Sequence, residues 1–295
     1  MKRWRVLPLA AGLASIPIFE SLLVFAYAGS FARYWADDYC YSGIIRMYGW
    51  WEGTHQWWLV NGNRFTTLIP VAIGDAFGPK VISVLPAALL LFWALAWAFF
   101  LWQASRAAGY PLSWVWVSFL ALLNTFFVVL LAPDRLQTLY WRMGTFHYSL
   151  PAPVWLFILG LMAWEFRQKH AHRLTLGLAC GLLGFFAAGL SETGAATLAG
   201  FFALFLIAVL VFLRGQPRER LAWPAAASLL GILLAMGIML RSPSNAWRSA
   251  AMPPPDNPLL IVTYSLRYSL DFIYYSLRGQ PLPYLVFLMG SFGAG

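Results

Sequence analysis

Apolar residues run along this chain in blocks long enough to cross a bilayer, and polar residues are gathered at the joints between the blocks. A membrane-spanning helix needs about 20 mostly apolar residues. Blocks of that order lie at residues 6–31, 80–102, 112–132, 149–165, 174–190, 193–213 and 223–240, and another starts at 282. The pattern predicts an all-α fold, a polytopic integral membrane helix bundle of about seven complete spans, forming a single transmembrane domain over 1–295. Residues 291–295 still lie within an apolar segment, so a C-terminally truncated chain is expected.

Residues 32–79 interrupt this pattern. The stretch carries Asp37 and Asp38, then Trp50, Trp51, Trp57 and Trp58, with polar residues throughout. Tryptophan and tyrosine favour the membrane–water interface, which predicts one or two short helices lying on the membrane surface in a first outer loop.

Basic residues assign the sides. Lys2, Arg3 and Arg5 precede the first block and predict a cytoplasmic N-terminus. The short loops holding Arg106, then Arg167, Lys169 and Arg173, then Arg214, Arg218 and Arg220, fall on that same side by the positive-inside rule. Residues 32–79, 133–148, the Ser191-Glu192 link and the proline-rich stretch 241–257 are then all external. Ala26-Tyr27-Ala28 imitates a signal-peptidase site, but the block before it is longer than a signal core and is interrupted by Pro17 and Glu20. An uncleaved anchor is therefore expected.

Composition narrows the function classes. With 61% hydrophobic and 11% charged residues the chain falls outside the range of soluble domains. Its net charge of +9 is dispersed among the apolar blocks, whereas a nucleic-acid surface gathers basic residues on one face, so no nucleic-acid partner is expected. Cys40 and Cys180 have no metal-type spacing, which argues against a disulfide or a thiolate metal site.

The external joints hold the candidate chemistry. Asp37 and Asp38 follow the first span. Two adjacent carboxylates do not both ionise freely in a partly desolvated pocket, so one is a candidate general base. Alternatively the pair offers oxygen ligands to a divalent cation, or is a solvated acidic turn. Asn61-Gly62-Asn63-Arg64-Phe65 combines backbone freedom at Gly62 with a guanidinium able to clasp phosphate or carboxylate at two points. Arg142, His147 and Tyr148 fall just before the span at 149, in an aromatic stretch that also suits an interface belt. Glu192 joins two apolar blocks through a link of a few residues, and a carboxylate at that depth usually has a partner or a function. All these residues fall on one face under a topology set by loop charge alone. Acids, cations and aromatic surfaces around one outer cavity are what a sugar joined to a lipid phosphate requires.

The landmarks Asp37-Asp38, Asn61-Gly62-Asn63-Arg64-Phe65, Gly144-Thr145-Phe146-His147-Tyr148-Ser149-Leu150-Pro151 and Ser191-Glu192 occur in that order. With Asp37-Asp38 near the start of a first outer loop that follows the first span, the chain resembles the GT-C superfamily of membrane glycosyltransferases; in the order of its landmarks it resembles, more narrowly, a bacterial family of multi-pass proteins with Asp-Asp, Asn-Gly-Arg-Phe, Gly-x-x-Asn-Tyr-x-x-Pro and Ser/Asn-Glu landmarks. It departs by the extra Asn63 and by His147 in place of asparagine. The resemblance implies a GT-C-like fold in a bacterial cytoplasmic membrane. It implies transfer of a sugar from a polyprenyl-phosphate carrier to a glycan, lipid or protein acceptor outside that membrane, with inversion. Asp37 or Asp38 would be the catalytic base; Arg64 and Arg142 would stabilise the departing phosphate. Glu192 and His147 would orient sugar hydroxyls or an arginine, with Asn61 and Tyr148 beside the substrate. A transporter or lipid-linked-sugar flippase is the competing reading, since buried acids and arginines also mark transport routes. A scaffold protein is the third.

Overall fold

The computed structural model describes residues 3–168, 172–251, 257–279 and 281, and among them every regular element is helical. The expected span starting at 282 lies outside the described residues. The helices are α1 (Arg3–Gly29), α2 (Asp38–Val60), α3 (Leu68–Ala76), α4 (Val81–Ala107), α5 (Trp114–Leu130), a short α6 (Arg142–Gly144), α7 (Pro151–Arg167), α8 (Arg173–Gly189), α9 (Glu192–Phe212), α10 (Gly215–Leu240), α11 (Asn245–Ala251) and α12 (Pro258–Gly279).

Among the described residues, five segments are long and apolar enough to cross a membrane: Pro8–Gly29, Val81–Ala107, Arg142–Arg167, Glu192–Phe212 and Gly215–Leu240. They mark a multi-pass helical membrane protein. The other two apolar blocks form α5 and α8, of 17 residues each. Contacts divide the chain into two units, Met1–Asn245 and Ala246–Gly295. In the second, α12 exposes most of its apolar side chains and carries an Arg267–Asp271 pair at 3.9 Å one turn apart.

The first unit is a helix bundle whose polar residues sort to two ends. At one end Gly29 of α1 abuts Pro86 of α4, Gly189 of α8 abuts Thr66, and Gly194 of α9 lies beside Pro151 of α7. Trp58 of α2 joins them by donating its indole N–H to the Ile238 carbonyl of α10 at 3.0 Å. At the other end Arg167 of α7 donates to Gln103 of α4 at 2.6 Å, and Arg173 of α8 pairs with Glu219 of α10. Between the ends the core is mainly apolar. Ile158, Met162, Phe202 and Ile232 form one buried cluster, and Leu22, Leu89, Trp93 and Leu156 another.

Lipid gives packed helices little hydrophobic drive, so close backbone approach matters more than in water. Helices α8 and α10 show it best. A Cβ built on Gly231 would fall 2.1 Å from the Gly181 carbonyl oxygen, and one on Gly184 would fall 2.8 Å from the Ser228 carbonyl oxygen. Only glycine permits that seam.

The interrupting stretch 32–79 is a cap on the first end. Helix α2 bends at Gly49 (φ 74°, ψ 173°), a conformation open to glycine, so its two halves run in different directions. Tyr41, Ile44 and Trp57 of α2 pack with Leu68 and Val71 of α3 and with Met143 and Phe146. This third cluster fixes the cap to the bundle. The stretch expected to hold one or two short helices is thus the two arms of α2 together with α3.

Candidate functional site

Two ion-pair centres lie at the capped end, built from residues far apart in sequence. The first surrounds Arg64, which follows α2 in the turn 61–64. Its Nε donates to Glu192 Oε2 at 2.6 Å. An Nη donates to His147 Nδ1 at 3.0 Å, which leaves His147 Nε2 to face the Tyr41 hydroxyl at 3.5 Å. The guanidinium also lies 5.8 Å from the centre of the Tyr148 ring. Burial opposes the charge on Arg64, but Glu192 and Tyr148 together outweigh it, and the guanidinium titrates above its ordinary range. Glu192 is held at the first residue of α9, where the Ser191 side chain caps the helix by accepting the Gly194 N–H at 3.3 Å.

Two cavities lie beside residues next to Arg64, its partner His147 lining one and its chain neighbour Phe65 the other. One, of about 240 Å³, lies between α7 and α9 and is lined by His147, Tyr148, Trp155, Ser191, Thr193 and Thr197. The other, of about 680 Å³, lies under α2, where Trp50, Trp51, Trp58, Phe65, Phe185 and Ile238 form most of its wall. The first mixes hydroxyls with aromatic rings; the second is almost wholly apolar.

The second centre surrounds Arg142, which is fully buried. It donates to Asp75 Oδ1 at 2.7 Å, to the Asp38 carbonyl at 2.8 Å and to Ser42 Oγ at 2.8 Å. Its Nε lies 3.6 Å from Asp38 Oδ1, and the guanidinium covers the Tyr34 ring at 4.8 Å. The Tyr34 hydroxyl donates to Asp75 Oδ1 at 3.0 Å, and the Trp35 N–H to Asp38 Oδ2 at 2.9 Å. Burial raises the Asp38 carboxyl above its ordinary range; the Trp35 N–H and Arg142 pull it back only in part.

These positions separate residues that the sequence groups. Asp37 is exposed, whereas its neighbour Asp38 is buried, so the two do not present a paired acidic site. The cause that raises Asp38 is burial, not repulsion from Asp37. Arg142, expected as a phosphate clamp, is enclosed, and both of its Nη groups donate to Asp75, Asp38 and Ser42 within the protein. Asn61 is exposed and ends α2, its N–H donating to the Trp57 carbonyl at 2.8 Å. The extra residue Asn63 is buried and donates to Asn245 Oδ1 at 3.1 Å. Arg64, His147, Tyr148 and Glu192 do come together.

Asp75, Tyr34, Tyr41 and Ser42 escaped the sequence reading. Asp75 had a signal, being an acid enclosed by apolar residues in Ile73-Gly74-Asp75-Ala76-Phe77. Among the described residues no three of His, Cys, Asp and Glu gather as a metal-holding group, so the Asp37-Asp38 pair gains no third ligand of that kind.

A separate polar cluster closes the opposite end. Buried Glu165 accepts the His172 backbone N–H at 3.0 Å and lies 3.5 Å from His172 Nδ1, while Arg220 donates to the Gln168 carbonyl. Comparison with family models, with curated proteins and with solved structures finds no match.

Proposed function

We propose that this protein is a membrane glycosyltransferase of GT-C type that moves a sugar from a polyprenyl-phosphate carrier to an acceptor at the outer face of a bacterial cytoplasmic membrane. The observation that carries this reading is Arg64, held between Glu192 and His147, the second of which lines the α7–α9 cavity. A departing lipid phosphate needs a fixed cation at the point where charge develops. A sugar needs hydroxyl partners and a ring to stack on, and His147, Tyr148, Trp155, Ser191 and Thr193 supply both.

In the proposed reaction Asp37 takes the proton from an acceptor hydroxyl, whose oxygen then attacks the anomeric carbon. The bond from that carbon to the phosphate oxygen breaks, and the lipid phosphate leaves with the electron pair toward Arg64. Asp37 is the choice for base because it is the exposed member of its pair. It stands one helical turn before Tyr41, whose hydroxyl faces His147. Glu192 and His147 orient Arg64 and the sugar hydroxyls.

Seven spans fit the same reading. The 17-residue helices α5 and α8 reach about 25 Å at the α-helical rise, within the accepted range for tilted or locally thinned bilayers. With seven, the basic N-terminus and the arginine-rich short loops are cytoplasmic and both ion-pair centres are external. The flippase reading gains less support, because the buried apolar core separates the two polar ends.

The test is transfer of radiolabelled sugar from polyprenyl-phosphate donors by the full-length protein in membranes. Wild type is expected to transfer; Asp37→Asn and Arg64→Gln are expected to lose transfer at unchanged abundance. Wild type that moves lipid-linked sugar between leaflets of a vesicle but transfers none to any acceptor would replace this reading with flipping.

A further inference from the structure

We infer that Asp75 is a positioning residue of the catalytic site, acting through Arg142 on the turn that presents Asp37. The inference rests on the transferase reading in which Asp37 is the base. It concerns a residue on α3 that reaches no substrate in that reading.

The strain in this turn lies at Ala36. Its φ of 46° is the left-handed conformation, and among the described residues no other non-glycine residue has a positive φ. For a side chain with a Cβ this conformation costs free energy and persists only when the surroundings over-determine it. The surroundings here are specific. The Asp38 N–H donates to the Trp35 carbonyl at 3.0 Å, and Asp38 Oδ2 accepts the Trp35 N–H at 2.9 Å. These two bonds close the chain around Ala36 and Asp37.

Asp38 in turn is held by Arg142, which grips its carbonyl at 2.8 Å and faces its Oδ1 at 3.6 Å. The first turn of α2 is held a second time through Ser42, also at 2.8 Å from Arg142. Arg142 is therefore the clamp on the start of α2, and what aims Arg142 is Asp75. Its Oδ1 takes one guanidinium N–H at 2.7 Å and the Tyr34 hydroxyl at 3.0 Å, so Arg142 is fixed on the carboxylate side and across the Tyr34 ring together. Charge-assisted bonds of this kind are directional and stronger than neutral ones. An amide at position 75 keeps the shape and loses the charge. The guanidinium then loses its closest anionic partner, and the strained turn loses its anchor.

A general base displaced by about an ångström loses on the order of a hundredfold in rate, whereas donor binding at Arg64 belongs to a different ion-pair centre. Asp75→Asn should therefore lower kcat by about a hundredfold with the donor KM within about twofold of wild type. Asp75→Glu should recover much of the loss. Tyr34→Phe, which removes one hydroxyl and leaves the charges intact, should shift kcat in the same direction by a smaller factor and serves if Asp75→Asn is poorly made.

The experiment uses the full-length protein in lipid nanodiscs and reads both kinetics and backbone hydrogen exchange. Faster exchange over residues 34–42 in the variants, with exchange over 61–67 unchanged and the kinetic split above, is the expected result. Asp75→Asn and Tyr34→Phe with wild-type kcat and wild-type exchange at 34–42 would overturn the inference. A wild-type protein that transfers no sugar would defeat the transferase reading, and the exchange difference would still decide the coupling of Asp75 to the turn.

Discussion

Arg142 and Asp75 meet at 2.7 Å across 67 residues of chain, and their charges are not the whole account of the centre they form. Asp38 shares the same guanidinium, so two carboxyl groups face one cation in a space closed to solvent. Removing the cation leaves two buried acids with no opposing charge, only the Tyr34 hydroxyl on Asp75 and the Trp35 N–H on Asp38. Arg142→Met should therefore cost about 3–5 kcal/mol, the usual cost of breaking a buried pair from one side. Arg142→Lys should recover little, because a single ammonium does not span Asp75, Ser42 and Asp38 together. Thermal unfolding of the purified protein measures both.

The same centre sets a pH dependence. Burial raises the Asp38 carboxyl in the folded protein. A group raised on folding contributes stability below its unfolded value, near 4 for aspartate, and gives it up as pH rises through the folded value. The stability of wild type relative to Asp38→Asn should thus be greatest below about pH 4 and fall as pH is raised above it. Melting temperatures of the two proteins at matched pH decide the matter; a relative gain with rising pH would mean that the carboxyl is held ionised.

Arg64 and Glu192 should behave as one unit in catalysis. Arg64→Gln should lower kcat by about 10²–10³, the range for loss of a charge-stabilising donor. Glu192→Gln should lower it less, and the double variant should be no worse than Arg64→Gln alone. A double-mutant cycle on kcat and KM makes the measurement; strictly additive losses would mean that the pair does not act together.

The glycine seam offers a prediction with an internal control. A Cβ at Gly231 collides with the Gly181 carbonyl, while one at Gly237 on the same helix meets nothing within 4 Å. Gly231→Ala should destabilise by about 1–3 kcal/mol, as overpacking does. Gly237→Ala should be neutral or stabilising by up to about 1 kcal/mol through helix propensity.

The sidedness of the site can be read by labelling. Thr193 and Arg173 are both exposed, at opposite ends of the bundle. In a Cys40→Ser background, a membrane-impermeant maleimide applied to intact cells should label Thr193→Cys and spare Arg173→Cys. The reverse pattern would invert the proposed orientation.

Helices were the legible part of this sequence, because bilayer thickness imposes a length on each apolar block. The block at 80–102 became Val81–Ala107 and that at 193–213 became Glu192–Phe212. Five blocks reach spanning length as helices, whereas the blocks at 112–132 and 174–190 each yield 17 residues. The site was legible as a list but not as partnerships. Nothing local links Arg64 to Glu192, 128 residues away, and nothing in the pair Asp37-Asp38 says which is buried. Neighbours on a helix point about 100° apart, so the edge of the cap separates two residues that look equivalent in sequence. Asp75 stayed hidden because its meaning comes entirely from Arg142 and Tyr34.

Glu192 opens α9 after a two-residue link from α8, the helix that forms one side of the glycine seam, while Arg64 follows α2, the helix bent at Gly49. The Arg64–Glu192 pair therefore joins two unlike supports. One belongs to a block whose backbones touch and leave no slack for sliding; the other hangs from a jointed arm. Mechanically the acid is the stator of this site and the arginine is mounted on the part that has a joint.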